Sequence, residues 1–88
     1  MNWRIVLSEK SPKQLDKLGR KEAQIIESFL FKRLQFMDNP RSIGAALTGP
    51  YTGRWKYRVG HYRIIPKIED QTITILVVAI GHRGDIYR

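Results

Sequence analysis

The sequence predicts a small α+β domain with the element order β-α-α-β-β-β, in which two N-terminal helices pack on a mainly antiparallel sheet. An amphipathic helical stretch occupies the first half of the chain, a short hairpin signal follows it, and a continuous apolar run lies near the end. Because the last strands follow one another without a further helix, we expect hairpin connections between them. With 88 residues, the chain is expected to form a single domain over residues 1–88.

The first half of the chain predicts one strand and two helices. Apolar residues alternate with others in NWRIVLS, which predicts a first strand of about five or six residues. In SPKQLDKLG, Ser11 suits the N-cap, Pro12 the first helical position and Gly19 the left-handed residue that follows a helix. From Lys21 onward, apolar residues at spacings of three and four predict a long core helix, which ends at the sequence DNP. These apolar residues are Ala23, Ile26, Leu30, Leu34 and Met37.

The stretch RWKYRVGHYR, which follows the connector RSIGAALTGPYTG, predicts a β-hairpin. Its first strand alternates apolar with cationic side chains, so one face is apolar and the other is cationic. Gly60 takes the first central position of a two-residue turn, which pairs Val59 with Tyr62 and places Arg58 opposite Arg63. Because like charges directly opposite each other destabilise a sheet, we expect an anionic group between the two arginines.

The last strand is the apolar run TITILVVAI, which follows an EDQ turn and suits a strand that is buried on both faces. Pro66 lies inside the strand before it and would face Trp55 in a simple register. Since proline has no N–H to donate, we expect a bulge or a lost ladder bond near Pro66.

Composition limits the possible partners. The chain has no cysteine, which excludes disulfides and thiolate metal sites. Sixteen Lys and Arg against eight Asp and Glu give a net charge of +8, which favours an acidic partner: nucleic acid, an anionic membrane or an acidic protein. Because aromatic and aliphatic residues interrupt the basic positions, we expect a folded basic surface rather than a membrane anchor. No apolar stretch is long enough for a signal or a transmembrane helix, so we expect a soluble cytoplasmic protein.

The cationic residues are the best candidates for chemistry. No zinc spacing, GxSxG motif or P-loop occurs, and carboxylates are few, so we expect neither a metal nor another cofactor. A guanidinium group can bind two oxygens of one phosphate, and aromatic rings can stack on unpaired bases. Together these properties favour single-stranded RNA as the substrate. The residues expected to contact RNA are Arg54, Lys56, Arg58, His61, Arg63 and Arg88. The alternative for these cations is a solvated strand face and a solvated C-terminal tail.

The element order, the stretch WKYRVGHYRII and the ending VVAIGHRGDIYR resemble the RelE branch of the RelE/ParE toxin superfamily over essentially the whole chain. The resemblance implies a RelE/ParE-like fold and a ribosome-dependent endoribonuclease that cuts messenger RNA in the decoding site without a metal. It also implies that the ribose 2′-hydroxyl attacks the adjacent phosphate, which leaves a 2′,3′-cyclic phosphate and a 5′-hydroxyl. The implied partners are the ribosome with its ribosomal RNA, messenger RNA and a RelB-like antitoxin.

The resemblance also implies roles for individual residues. Lys56 and Arg58 match two basic residues of the second strand, and Arg63 matches the arginine of the third. Arg83 matches the arginine after the last strand, and Tyr87 the tyrosine of the tail. In the best-known member, lysine stands at the position of Arg58. Because arginine stays protonated, we expect Arg58 to stabilise phosphate rather than to act as a base.

Proton transfer and function class leave alternatives open. Tyr87 and His82 are both candidates for proton transfer, since cations can lower the pKa of a phenol and free imidazole titrates near neutrality. A ParE-like DNA gyrase inhibitor without nuclease activity is the main alternative, although ParE toxins generally lack this full set of cations with the tail tyrosine. An RNA-binding module without any activity is a third alternative.

Overall fold

The computed structural model of the protein describes residues 2–82. Its strands and helices are β1 Arg4–Leu7, α1 Ser11–Lys17, α2 Arg20–Ser28, β2 Ala45–Ala46, β3 Trp55–Val59, β4 Tyr62–Glu69 and β5 Thr74–His82. Within the described residues the strands form one five-stranded sheet in the order β1-β5-β4-β3-β2. β1 lies parallel to β5, and the other neighbouring strands are antiparallel. The predicted α+β class, with two helices on a mainly antiparallel sheet, is confirmed.

The core lies between the helices and one face of the sheet. Its buried side chains come from both layers: Trp3, Leu15, Ile26, Leu30, Leu34, Tyr57, Ile64, Ile75, Val77 and Ile80. The opposite face, which points away from the helices and is called the open face below, carries the exposed Arg58 and the buried Arg63 and Ile65. Within the described part of the chain, no helix is both long and apolar enough to cross a membrane.

The long core helix has the predicted extent but not a uniform geometry. After α2 the chain continues through a π-helical turn at Phe29–Arg33 and a 3-10 turn at Leu34–Phe36. Core leucines at a spacing of four drift by about 40° per step around an ideal α-helix, and the wider π-helical turn reduces that drift. Leu30 and Leu34 are both fully buried. The helical stretch ends at Met37, which is extended, as the DNP signal predicts.

The prediction that Ser11 caps α1 is wrong. The N-cap is Lys10, and it makes no side-chain cap hydrogen bond. Ser11 is instead the first helical residue, fully buried, and its hydroxyl donates to the Val77 carbonyl over 2.9 Å. A buried carbonyl needs a donor more than an exposed helix end does, because water can satisfy the helix end. Gln14 makes a second contact to β5, since its side-chain oxygen accepts from the Ile80 N–H at 2.7 Å.

The irregularity expected at Pro66 is confirmed as a bulge between β4 and β5. Ile65 pairs with Ala79 and Pro66 pairs with Val77, which leaves Val78 as the extra residue on β5. The bulge lets Val77 and Ile80, three positions apart, both face the helices. Without it, strict alternation would turn one of them to the open face.

The connector before the hairpin contains a strand that the sequence did not predict. β2 consists of two alanines, which are weak strand formers, and it pairs with the start of β3. Gly44, beside it, has a φ of 83°, and a Cβ there would lie 2.4 Å from the Lys56 carbonyl oxygen. The Trp55 indole N–H donates to the Ile43 carbonyl over 2.8 Å, and the Tyr57 hydroxyl donates to the Pro40 carbonyl. These contacts hold the connector against the apolar side of β3.

Replacing Gly44 by alanine is expected to lower the free energy of unfolding by about 3 kcal/mol or more, because the new Cβ collides with β3 at a strained positive φ. Gly49→Ala is the control, since Gly49 also has a positive φ but nothing lies within 4 Å of an added Cβ. Its loss is expected to be about 1 kcal/mol. Equilibrium urea unfolding measures both, and equal losses would contradict the close approach of the connector to β3.

Candidate nucleic-acid interface

The hairpin of β3 and β4 sorts its side chains between the two faces as predicted. Tyr57 is buried in the core, and Trp55 and Val59 pack against it from the same face. Lys56 and Arg58 alternate with them, and Arg58 is exposed. The turn at Gly60 has a φ of 60°, so the sequence signal for a two-residue turn is confirmed.

Arg58 and Arg63 lie directly opposite each other in the ladder between β3 and β4, as predicted. The two residues differ in environment, because Arg58 is exposed whereas Arg63 is only 5% exposed. One guanidinium nitrogen of Arg63 donates to the Tyr62 carbonyl over 3.2 Å. On its other side Arg63 pairs with Gly81, which has no side chain. A buried guanidinium keeps its charge, and its field is screened less than that of an exposed one.

An open cleft of about 480 Å³ lies beside these arginines. It is lined by Arg58, Gly60, His61, Arg63 and His82. The register between β4 and β5 pairs Tyr62 with His82, whose rings meet edge to face with centroids 5.8 Å apart. The structure therefore brings together four of the predicted site residues, two guanidiniums and two imidazoles.

Other predicted site residues lie outside this cleft. Lys56 is two residues from Arg58, a separation of about 6.7 Å along a strand, and pairs with Ala45 of β2. Arg54 lines a different cleft, at the opposite end of β3 from the turn. Three predicted site residues lie outside the described residues, and their roles stay predictions: Arg83, Tyr87 and Arg88.

Sequence reasoning missed one cation, Arg41, which lines that second cleft together with Arg54. Arg41 lies in a 3-10 turn of the connector at Pro40–Ser42, far from the hairpin in sequence. No local pattern signals this proximity, because it depends on how the connector packs against β3. In the described part of the chain, no group of three or more His, Cys, Asp or Glu side chains is placed to hold a metal ion.

The Tyr57 hydroxyl lies on the apolar side of β3, where it stabilises the fold. Burial raises the pKa of Tyr57 well above its usual range, and the nearby Arg41 charge opposes this only in part. Tyr57 therefore stays neutral and keeps donating to the Pro40 carbonyl. The opposite side of the strand is cationic, so the arrangement can bind a phosphate, offset negative charge that develops on it, and move a proton through an imidazole.

Comparison with known proteins identifies relatives along the whole chain. The family described as the ParE toxin of the type II toxin–antitoxin system parDE matches residues 5–87. Toxin RelG of Mycobacterium tuberculosis is 27% identical over 88 residues, which is 100% of this chain and 99% of the relative.

Solved structures with a similar fold include toxins alone and toxins bound to antitoxins. The M. tuberculosis toxin–antitoxin complex RelBE2 matches with a TM-score of 0.85 and 24% identity, covering 97% of this chain and 95% of that chain. The isolated E. coli RelE toxin matches with a TM-score of 0.70 and 18% identity, covering 97% of this chain and 90% of that chain. At these identities the structural matches support the fold.

The stability difference between the wild type and Tyr57→Phe is expected to shrink above about pH 10. The folded state holds the Tyr57 proton more tightly than the unfolded chain does, so the hydroxyl's contribution is fully present below the unfolded pKa and is lost as the pH rises through the raised folded pKa. Urea unfolding is expected to give a loss of about 1–2 kcal/mol at neutral pH. A loss that stays constant or grows in alkaline solution would contradict the assignment.

Replacing Arg58 by threonine is expected to stabilise the protein by about 0.5 kcal/mol at low ionic strength, because it removes a like charge opposite Arg63. The gain should shrink at about 1 M salt, because salt screens the exposed Arg58 even though it screens the buried Arg63 less. Lys67→Thr is the matched control, since Lys67 is exposed on β4 and pairs with Leu76. Thermal unfolding in low and high salt measures both variants, and a salt-independent gain for Arg58→Thr would contradict the repulsion.

Proposed function

Because the chain belongs to the ParE toxin family of type II toxin–antitoxin systems, within the RelE/ParE superfamily, we propose that it is a ribosome-dependent endoribonuclease that cleaves messenger RNA. The observation that carries the proposal is the pairing of Arg58 with Arg63 beside two imidazoles in one open cleft. Two guanidiniums held on adjacent strands provide donors for the oxygens of one phosphate.

The cations act on the scissile phosphate. Arg63 is buried and fixed within β4, so it holds the phosphate in one orientation, with Arg83 as its expected partner from the C-terminal segment. Arg58 and Lys56 approach from β3 and offset the negative charge that builds up on the phosphoryl oxygens during attack. Groups that are already in place for the developing charge need no reorganisation during the reaction, and this lowers the barrier.

The reaction transfers the phosphoryl group within the RNA. The 2′-oxygen forms a bond to phosphorus while the bond from phosphorus to the 5′-oxygen of the next nucleotide breaks. A base takes the proton of the 2′-hydroxyl, and an acid gives a proton to the departing 5′-oxygen. His82 lines the cleft, and an imidazole can either accept or donate a proton. Tyr87 is the second candidate. His61 and Arg54, together with Arg88, are proposed to contact the RNA.

The proposed partners are the ribosome with its messenger RNA and a RelB-like antitoxin. RelBE2 of M. tuberculosis, which has a similar fold, was solved as a toxin–antitoxin complex, and RelE of Pyrococcus horikoshii was solved in complex with RelB. The net charge of +8 suits both ribosomal RNA and an acidic antitoxin segment. We place the protein in the cytoplasm, where ribosomes are.

A ParE-like gyrase inhibitor is the second candidate function. The observation that favours it is the family description itself, which names a ParE toxin. The lesion distinguishes the two functions: cut messages with arrested translation support the nuclease, whereas intact messages with a DNA damage response support gyrase inhibition.

Arg58→Ala is expected to lower the maximal rate of message cleavage on programmed ribosomes by about 10²- to 10³-fold, because it removes one donor to the charged transition state. Arg58→Lys should fall between Arg58→Ala and the wild type, since lysine keeps the charge without the paired donors. Arg58 is exposed, so neither change should impair folding, and thermal unfolding verifies this.

Lys67→Ala serves as the control, because it removes an exposed cation from the neighbouring strand outside the cleft. Its cleavage rate is expected to stay within about threefold of the wild type. Equal rates for Arg58→Ala and Lys67→Ala would contradict the role of the arginine pair. Intact messages with the wild-type protein would contradict the nuclease itself.

A further inference from the structure

A second cationic cleft of about 220 Å³ lies at the opposite end of β3 from the turn. It is lined by Arg41, Ala46, Gly53, Arg54, Trp55 and Ile68. It shares no lining residue with the cleft at Arg58 and Arg63. Arg58 lies four positions after Arg54, a distance of about 13 Å along an extended chain. The proposed reaction makes no use of this cleft.

The walls of this second cleft are fixed by contacts on the apolar side of β3. The Trp55 indole is oriented by its hydrogen bond to the Ile43 carbonyl. The backbone N–H of Arg41 donates to the Asn39 side chain over 2.9 Å, which caps the short turn that carries Arg41. Ala46, Trp55 and Ile68 add apolar lining to the two arginines. The cleft therefore combines two cations with apolar surface, and these hydrogen bonds hold part of its lining in place.

Arg41 is held by a carboxylate in the geometry in which arginine binds phosphate. Its two terminal nitrogens donate to the two carboxylate oxygens of Asp70 over 2.8 and 2.9 Å. Both side chains are exposed, 39% for Arg41 and 63% for Asp70. The pair raises the pKa of Arg41 and lowers that of Asp70, so both stay charged. Both groups are exposed to solvent, so a phosphate can reach Arg41 and exchange with the carboxylate for the same two guanidinium donors.

We propose that Arg41 and Arg54 form a second phosphate-binding subsite for single-stranded RNA, and that Asp70 occupies Arg41 until RNA displaces it. The inference rests on the proposed function and extends it to a nucleotide remote from the cleaved bond. Arg54 directly precedes β3, so it lies two positions before Lys56 and four positions before Arg58. Cations spaced by about 6.7 Å suit a polymer with one phosphate per unit, and the apolar side chains that line the cleft suit an unpaired base.

This arrangement predicts the direction in which two substitutions change the affinity for RNA. Asp70→Asn releases Arg41 and strengthens RNA binding, whereas Arg41→Ala weakens it. The double variant binds like Arg41→Ala, because Asp70 acts only through Arg41. If the pair served only to hold the connector turn against the turn after β4, both single variants would lose stability and neither would bind RNA more tightly.

The test is fluorescence anisotropy with a labelled 2′-O-methyl oligouridylate, which has no 2′-hydroxyl to attack and so reports binding alone. Arg41→Ala is expected to weaken binding about three- to tenfold and to reduce the slope against log salt by about 0.7. Asp70→Asn is expected to strengthen binding about two- to fivefold. Arg41→Lys should fall between Arg41→Ala and the wild type, since lysine keeps the charge without the fork.

Matched controls come from α1, which packs against β5 near the other end of the sheet. Asp16 and Lys17 are exposed, and Asp16→Asn and Lys17→Ala make the same charge changes as Asp70→Asn and Arg41→Ala. Each control should alter the affinity for RNA less than twofold. Thermal unfolding of every variant verifies the fold. Equal effects of Asp70→Asn and Asp16→Asn, or a double variant that binds more tightly than Arg41→Ala, would overturn the subsite.

An oligoglutamate of equal charge tests whether the second cleft prefers RNA to an acidic protein. If Arg41→Ala weakens binding of the oligoglutamate as much as binding of the oligouridylate, the assignment to RNA is overturned. Cleavage by the wild type distinguishes the two proposals. If the wild type cleaves messages on ribosomes but the Arg41 and Asp70 variants bind RNA as the wild type does, only the subsite is overturned. If the variants show the predicted binding pattern but the wild type does not cleave, only the nuclease activity is overturned.

Discussion

The two-residue turn at Gly60 and His61 sets the register of the hairpin, and both faces of β3 depend on that register. A slip by one residue would send every side chain of the strand to the opposite face. Tyr57 would then leave the core, and Arg58 would enter it. With the observed register, one strand supplies an aromatic anchor to the core and a cation to the open face. The proposed site therefore depends on Gly60, whose positive φ permits this turn.

The apolar side of β3 explains why the cationic side stays in place. Tyr57 and Trp55 donate to carbonyls of the connector, and Gly44 lets that connector approach the strand closely. The bulge opposite Pro66 adjusts β5 so that its apolar residues still reach the helices. Hydrogen bonds and packing on the apolar side of β3 therefore hold the strand in place despite the like charges of Arg58 and Arg63 on the open face.

Local patterns predicted most of the architecture. Alternation identified β1 and the hairpin, spacings of three and four identified the long helix, and the missing N–H of Pro66 identified the bulge. The features that were missed depend on contacts distant in sequence. Ser11 donates to a carbonyl 66 residues away, β2 exists only because β3 lies beside it, and Arg41 meets Arg54 only through the folded connector. The hairpin part of the site was predictable for the same reason, because its residues are neighbours along one turn.

The central claim is that the cationic cleft catalyses phosphoryl transfer within a message on the ribosome. The most direct measurement is the chemistry of the ends produced in a purified translation reaction, with the same RNA incubated without ribosomes as the comparison. We expect cuts only when ribosomes are present, with a 2′,3′-cyclic phosphate on one fragment and a 5′-hydroxyl on the other. Intact messages, or fragments that carry a 5′-phosphate, would contradict it.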